Sequence, residues 1–169
     1  MSEALLCGLD PGREKFGLAV GNRSTLAFSA IAPVSMLAEV ICCLEIRDFG
    51  GVAHLRLEGR AAAYPEISEI FLGNGTGFRA FADRLERRGV PFTAADESFT
   101  TLEGRSLYWR LHPPRGLWRF VPVSLRVPPR SVDDMAAWAV LIRASRADTR
   151  GSSRQIGDDA FFSRVDDKI

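Results

Sequence analysis

Residues 5–20 read LLCGLDPGREKFGLAV and contain the pattern that decides the fold. Two apolar runs flank a short loop with a Pro-Gly turn, which predicts a buried strand, a hairpin and a second strand. A single carboxylate, Asp10, ends the first run. Packing gains nothing from a carboxylate there, whereas its oxygens suit a hard cation such as Mg²⁺. The stretch therefore predicts a sheet with a candidate metal ligand at the end of its first strand.

The rest of the chain continues this sheet and covers it with helices. Strands are predicted at about 4–10, 16–21, 25–33, 67–73 and 90–95. Four helices are predicted. Ser35 is expected to cap the first and Ser131 the last, and the two between them span about 77–88 and 100–111. The predicted fold class is α/β, with a five-stranded mixed sheet flanked by helices. Strands 1–3 form an antiparallel meander and strands 4 and 5 are parallel.

The same pattern predicts one domain over residues 1–147 and a flexible C-terminal tail over residues 148–169, where the sequence becomes polar. Residues 52–63 fit either a continued helix or a loop. The turn at residues 73–77, GNGTG, is expected to be a plain strand-to-helix connection. A phosphate-binding role is the alternative, because backbone N–H groups at a helix start bind anions.

Composition indicates an ordinary globular domain. The chain has 169 residues, 46% of them hydrophobic and 25% charged, with a net charge of +1. The three cysteines, Cys7, Cys42 and Cys43, suggest neither a disulfide framework nor a zinc site, which favours a reducing compartment. The absence of a signal-peptide pattern or a long apolar segment leads us to expect a cytoplasmic protein without a membrane partner. Monomer and homodimer both remain open.

Two further acids resemble Asp10 in their setting. Glu97 follows an apolar strand, and Asp133 begins an apolar helix. Neighbouring helix residues point about 100° apart, so only one of Asp133 and Asp134 is expected to face a common site with Asp10. We favour Asp133, and we expect Asp134 to interact with the helix N-terminus. Three converging carboxylates repel one another unless a cation joins them, which is useful for chemistry rather than for packing.

Four segments carry a resemblance to a known family: GLDPGREKFG at 8–17, FLGNGT at 71–76, DESFTTLE at 96–103 and VDDMAA at 132–137. In this order they resemble the YqgF group of the ribonuclease H-like superfamily. That group is described both as pre-16S ribosomal RNA-processing nucleases and as Holliday-junction resolvase-like proteins. The chain departs from the group's pattern at Ser98, where Arg is common, and at Asp134, where Ser is common.

The resemblance implies a two-metal-ion nuclease that uses Mg²⁺ or Mn²⁺ to hydrolyse phosphodiester bonds. Its catalytic and metal-binding acids match Asp10, Glu97 and Asp133. Two ions about 3.5–4 Å apart can activate water and stabilise the leaving oxygen.

A basic, aromatic stretch is the second candidate functional feature. No Asp or Glu occurs between Gly104 and Val132. Local positive charge beside a metal site suits a polyanion, and aromatic rings can stack on unpaired bases. The predicted nucleic-acid contacts are Arg13, Lys15, Arg105, Arg110, Arg115, Arg119, Arg126 and Arg130. The interleaved aromatic residues are Tyr108, Trp109, Trp118 and Phe120; the alternative is that they pack a helix onto the sheet.

Three classes of function therefore stand side by side. The first is a nuclease for structured RNA or branched DNA, and pre-16S ribosomal RNA processing is the role that the resemblance implies. The second is a non-catalytic nucleic-acid-binding or ribosome-assembly factor on the same fold, which Ser98 favours. The third is a nucleotide-binding domain related to actin and the sugar kinases, because residues 10–17 also fit the spacing of their phosphate loop.

Overall fold

The computed structural model describes residues 4–96, 100–122 and 125–162, with side chains throughout except at 100–101 and 148–162. The strands are β1 (Leu5–Asp10), β2 (Lys15–Gly21), β3 (Leu26–Pro33), β4 (Arg56–Gly59), β5 (Ile67–Gly73) and β6 (Thr93–Ala95). The helices are α1 (Leu37–Ile46), α2 (Phe78–Arg87), α3 (Thr100–Leu111) and α4 (Asp133–Phe162). Short 3₁₀ helices lie at Val34–Met36, Gly50–Leu55 and Gly116–Phe120.

The sheet has six strands in the order β4-β3-β2-β1-β5-β6. β1 to β4 are antiparallel, whereas β5 pairs in parallel with both β1 and β6. The α/β class and the mixed sheet are thus confirmed, and the count of five strands is wrong. The additional strand is β4, which pairs along the edge of β3 between residues 56 and 59. Its sequence, RLEG, is mostly exposed and has no apolar alternation, so nothing in it indicates a strand.

Two apolar layers cover the two faces of the sheet. Phe16, Leu18 and Val20 of β2 join the cluster that contains α1 and α2, whereas Ala19 joins the cluster with α3 and α4. Successive strand residues point to opposite faces, which explains this division. The largest fully buried side chain is Trp138 of α4, and its indole nitrogen donates to the Asn22 carbonyl.

Glycines allow α4 to lie directly against the sheet. A Cβ added at Gly8 of β1 would come within 2.1 Å of the Ala137 carbonyl oxygen. One added at Gly17 of β2 would come within 1.9 Å of the Asp133 carbonyl oxygen. Since both obstacles are backbone atoms, a side chain at either position would push the helix away. The two glycines therefore fix how closely the start of α4 approaches β1 and β2.

Three element boundaries differ from the sequence-based ones. Ser35 does not cap α1, whose N-cap is Met36 and has no side-chain cap bond; a 3₁₀ turn precedes it. The second parallel strand begins at Thr93 rather than at about residue 90. α4 continues beyond residue 147 to Phe162; the domain end at 147 and the flexible tail stay predictions. In the described part of the chain, no helix combines the length and apolarity that crossing a membrane needs.

We predict that Gly17→Ala destabilises the fold by about 1–3 kcal/mol or more, because the added methyl meets backbone that has no room to relax. Gly51→Ala is the matched control, since a Cβ there would meet only the Cys43 sulfur at an ordinary 3.8 Å. Urea denaturation of both variants measures the difference. Equal unfolding midpoints for the two variants would contradict this account of how α4 is seated.

Candidate active site

Asp10 lies at the end of β1 on the face of the sheet that α4 covers. Cys7 and Leu9 of the same strand belong to the opposite apolar layer, while Gly8 contacts α4. Strand alternation therefore puts Asp10 on the same face as Gly8. Its side chain is half-buried, and its partner across the antiparallel ladder is Gly17.

Asp133 approaches the same point from α4. The Asp133 backbone packs against Gly17, which is the residue that pairs with Asp10. The end of β1 and the start of α4 are thus adjacent. The backbones of Asp10 and Asp133, two of the three predicted acids, therefore lie close together. The third, Glu97, lies outside the described residues. The strand before Glu97, β6, ends at Ala95, which pairs with Gly73 of β5. Because β1, β5 and β6 are parallel, the carboxyl end of β6 lies at the same end of the strands as Asp10.

The Asp133 carboxylate has two polar partners. Lys15 Nζ lies 2.9 Å from Asp133 Oδ2 and donates to the Ser131 hydroxyl at 2.6 Å. The Ser131 hydroxyl in turn donates to Asp133 Oδ2 at 2.8 Å. Ser131, predicted as a cap, thus uses its hydroxyl to join two charged side chains. With about a third of the Asp133 side chain exposed, this carboxylate remains open to solvent.

Asp134 has a different role from the one expected. It is fully buried, accepts a hydrogen bond from Ser29 Oγ of β3 at 2.7 Å, and is bound by both terminal nitrogens of Arg130 at 2.8 and 3.1 Å. Asp134 does lie in the first turn of α4, as expected, but the partners of its carboxylate are Ser29 and Arg130. A buried carboxylate needs a paired cation and hydrogen bonds, and Arg130 and Ser29 supply both.

Arg130 connects this pair to the edge of the sheet. Its second partner is Glu58 of β4 at 3.0 Å, and Glu58 also lies 2.7 Å from Nε2 of His112 at the end of α3. Burial alone would lower the pKa of Arg130, but hydrogen bonds and charges from Asp134 and Glu58 outweigh burial and raise it. The guanidinium also lies over the Tyr108 ring, 5.2 Å from its centre. We call Ser29, Asp134, Arg130, Glu58 and His112 the polar network.

The eight predicted nucleic-acid contacts divide by exposure. Arg126 is 9% exposed and donates to the Arg119 carbonyl at 2.9 Å, so it holds the loop together. Arg130 is engaged in the polar network. Arg105 is half-buried, and the remaining five side chains are exposed: Arg13, Lys15, Arg110, Arg115 and Arg119. These five are the ones whose charge faces solvent.

The aromatic residues divide in the same way. Tyr108 is buried, and Trp109 packs beside it with its indole nitrogen bonded to the Arg126 carbonyl at 3.3 Å. These two residues match the packing alternative. Trp118 and Phe120 are 59% and 79% exposed in the loop between α3 and α4, and Arg119 lies between them. Of the four rings, Trp118 and Phe120 are the exposed ones and can present their surface to a ligand.

The glycine-rich turn before α2 packs against the β1–β2 loop. The Gly77 amide donates to the Pro11 carbonyl at 3.4 Å, and a Cβ on Gly77 would come within 2.8 Å of the Gly12 carbonyl oxygen. Close contact between two backbones accounts for glycine at this position. The plain-turn interpretation is therefore sufficient.

Sequence reasoning missed four charged residues. One is Glu58 of the polar network; the other three are Arg23, Arg143 and Arg146, which line a groove between α3 and α4. The two on α4 lie on one face with Ala139 and Ile142, at helical spacing. That periodicity was available in the sequence. Glu58 left no such signal, because it lies in a strand that the sequence does not reveal.

The metal-binding potential rests on Asp10 and Asp133. In the described ranges, no group of three or more His, Cys, Asp or Glu side chains is arranged to hold a metal. Carboxylate oxygens are the donors that Mg²⁺ and Mn²⁺ prefer, so the chemistry of these two acids fits such an ion. In comparisons with known proteins, no family model and no curated protein matches this chain.

We predict that Asp134→Asn and Asp133→Asn differ sharply in stability. Asp134→Asn removes the buried partner of Arg130 and should cost about 2–4 kcal/mol. Asp133→Asn weakens a solvent-exposed ion pair and should cost about 1 kcal/mol or less. Guanidinium denaturation of both variants measures this. Similar losses for the two adjacent acids would argue against the polar network as the group that holds α4.

Proposed function

We propose that this protein is a metal-dependent nuclease with a ribonuclease H-like fold that hydrolyses phosphodiester bonds in structured nucleic acid. The observation that carries the proposal is that the backbones of Asp10 and Asp133 are adjacent at one end of β1, because Gly17 pairs with Asp10 and packs against the start of α4. The order of the described elements, an antiparallel meander followed by two parallel strands and a helix, is compatible with that fold.

In this proposal Asp10, Glu97 and Asp133 hold Mg²⁺ or Mn²⁺. Such ions, when bound, activate water and stabilise the leaving oxygen of a phosphodiester. Asp10 is positioned by the β1–β2 ladder and Asp133 by the seating of α4, so neither carboxylate depends on a long loop. Lys15 keeps the charge of Asp133 balanced at 2.9 Å and brings a cation to the place where a phosphate would lie.

Exposed cations and rings support nucleic acid as the partner. Arg13 lies in the β1–β2 loop that follows Asp10, and Lys15 is the first residue of β2. Arg115 and Arg119 lie on either side of the exposed Trp118 in the sequence. Positive side chains attract phosphates, and aromatic rings stack on unpaired bases without regard to sequence. Processing of pre-16S ribosomal RNA in the cytoplasm is the role that the resemblance implies, and branched DNA is the other substrate of the proposal.

One observation favours a second candidate, a non-catalytic nucleic-acid-binding factor. Lys15 and Ser131 already satisfy Oδ2 of Asp133, so this carboxylate is balanced by the protein's own groups. Ser98 in place of the Arg common in the resembling family points the same way. A binding factor would need the basic surface and no metal.

A cleavage assay with Mg²⁺ or Mn²⁺ tests the proposal on a pre-16S ribosomal RNA fragment, single-stranded RNA and a four-way DNA junction. We expect metal-dependent cleavage that falls more than about 100-fold in Asp10→Asn, Glu97→Gln and Asp133→Asn. Mutation of a residue that only hydrogen-bonds to a metal ligand lowers metal affinity or activity about 10–100-fold, so mutation of a ligand itself should lower activity further. Asp83→Asn, an exposed acid on α2, is the control and should cleave like the wild type.

The outcome also separates the two candidates. If the wild type and Asp10→Asn bind the same RNA equally and neither cleaves any substrate with either metal, the nuclease proposal is wrong and the binding factor replaces it. Binding of ATP with no affinity for nucleic acid would overturn both and support the nucleotide-binding class.

A further inference from the structure

A basic groove lies between α3 and α4, away from the candidate active site. It has a volume of about 250 Å³. Four arginines and one acid provide its charged groups, so its formal charge is strongly positive. We call it the arginine groove, and its polar residues are Arg23, Glu103, Ser106, Arg110, Arg143 and Arg146.

Three of the guanidinium groups are held in place by neighbours. Arg23 donates from Nε to the Ser145 hydroxyl at 3.1 Å and also to the Ser145 carbonyl. Arg110 lies over the buried Trp138 ring, 5.0 Å from its centre. Arg143 lies 3.6 Å from Glu103. Cations that are already oriented lose less freedom when they bind an anion, so the groove is prepared for one.

The position of the groove relates it to Asp133. Arg143 and Arg146 follow Asp133 along the same helix, and a rise of 1.5 Å per residue puts them about 15–20 Å from it. One nucleic-acid strand advances about 3.4 Å per nucleotide in a duplex. The groove is therefore about four to six nucleotides from a phosphate held at Asp10 and Asp133.

We propose that the arginine groove binds the phosphodiester backbone of the nucleic acid whose cleavage site lies at Asp10 and Asp133. An Arg guanidinium group can donate two parallel hydrogen bonds to the oxygens of one phosphate. Such contacts hold the nucleic-acid backbone whatever its base sequence. The groove is smaller than the roughly 300–1,000 Å³ of typical small-molecule pockets, so it suits a phosphate or two rather than a whole nucleotide. The location of the cleavage site rests on the proposed function; the anion chemistry of the groove does not.

The test uses the full chain carrying Asp10→Asn, so that binding is measured without cleavage. The groove variant combines Arg110→Gln, Arg143→Gln and Arg146→Gln; Arg23 is left intact because it also anchors Ser145. The control combines Arg79→Gln, Arg84→Gln and Arg87→Gln, three exposed arginines on α2 beneath the other face of the sheet. Both lose three charges, so bulk electrostatics cancels between them. Circular dichroism confirms that each variant folds.

The probe is an RNA hairpin with single-stranded extensions, titrated at several salt concentrations. We expect the groove variant to bind the RNA about tenfold or more weakly. The slope of log binding constant against log salt concentration should become shallower by about 2–3, because each lost phosphate contact lowers that slope by about 0.7–0.9. Replacement of the same three arginines by Lys should restore most of the slope. Shortening the extensions to two nucleotides should remove the difference between the groove variant and its parent.

Several outcomes would overturn the inference. Equal affinity of the groove and control variants for the RNA hairpin would show that the groove does not hold the backbone. Pyrophosphate is titrated as a second probe: if the groove variant loses pyrophosphate binding but binds RNA as before, the groove binds anions without holding the backbone. A groove-dependent difference that persists on the shortest probe would show that it does not lie along the path from Asp10. Failure of the nuclease is seen separately, as absence of cleavage by the protein with Asp10 intact while groove-dependent binding persists.

Discussion

The contact between α4 and the glycines of β1 and β2 is the constraint on which the rest of the structure depends. Because Gly8 and Gly17 have no side chains, the helix backbone lies directly on the strands and its apolar side chains fill the layer on either side. The same contact brings the start of α4 to the end of β1. The helix that completes the core therefore also delivers Asp133 to Asp10, so packing and candidate chemistry share one arrangement.

The polar network then decides how α4 is rotated. Asp134 is buried against β3 by its bonds to Ser29 and Arg130, whereas its neighbour Asp133 is partly exposed and pairs with Lys15 of β2. Arg130 also binds Glu58 of β4, which ties the rotation of α4 to an edge strand far away in sequence. Two adjacent acids of the same chemical type thus have separate tasks: one holds the helix and the other is exposed at the candidate site.

The sequence predicted what periodic patterns encode and missed what depends on tertiary partners. The two apolar runs around the Pro-Gly turn in residues 5–20 were sufficient to predict the hairpin, which the pairing of β1 with β2 confirms. β4 was not predicted because this short, polar edge strand has no apolar pattern of its own and depends on its pairing with β3. The burial of Arg126 and Asp134 was not predicted either, because a charged residue is buried only where the fold supplies its polar partners. These partners are the Arg119 carbonyl for Arg126, and Ser29 and Arg130 for Asp134. Glu97 stays a prediction because it lies outside the described residues.

The two edges of the sheet are its shortest strands. β4 has four residues and β6 has three, whereas the strands between them have six to eight. A sheet edge exposes unpaired N–H and C=O groups, and a long flat one is a template for other chains. Short edges leave few such groups. Just past Gly59, whose φ is +68°, the Arg60 amide donates to the Ala27 carbonyl of β3, so the chain stays beside β3 where β4 ends. Short edges of this kind give another chain little backbone to pair with, which is one way in which sheets avoid growing by strand addition.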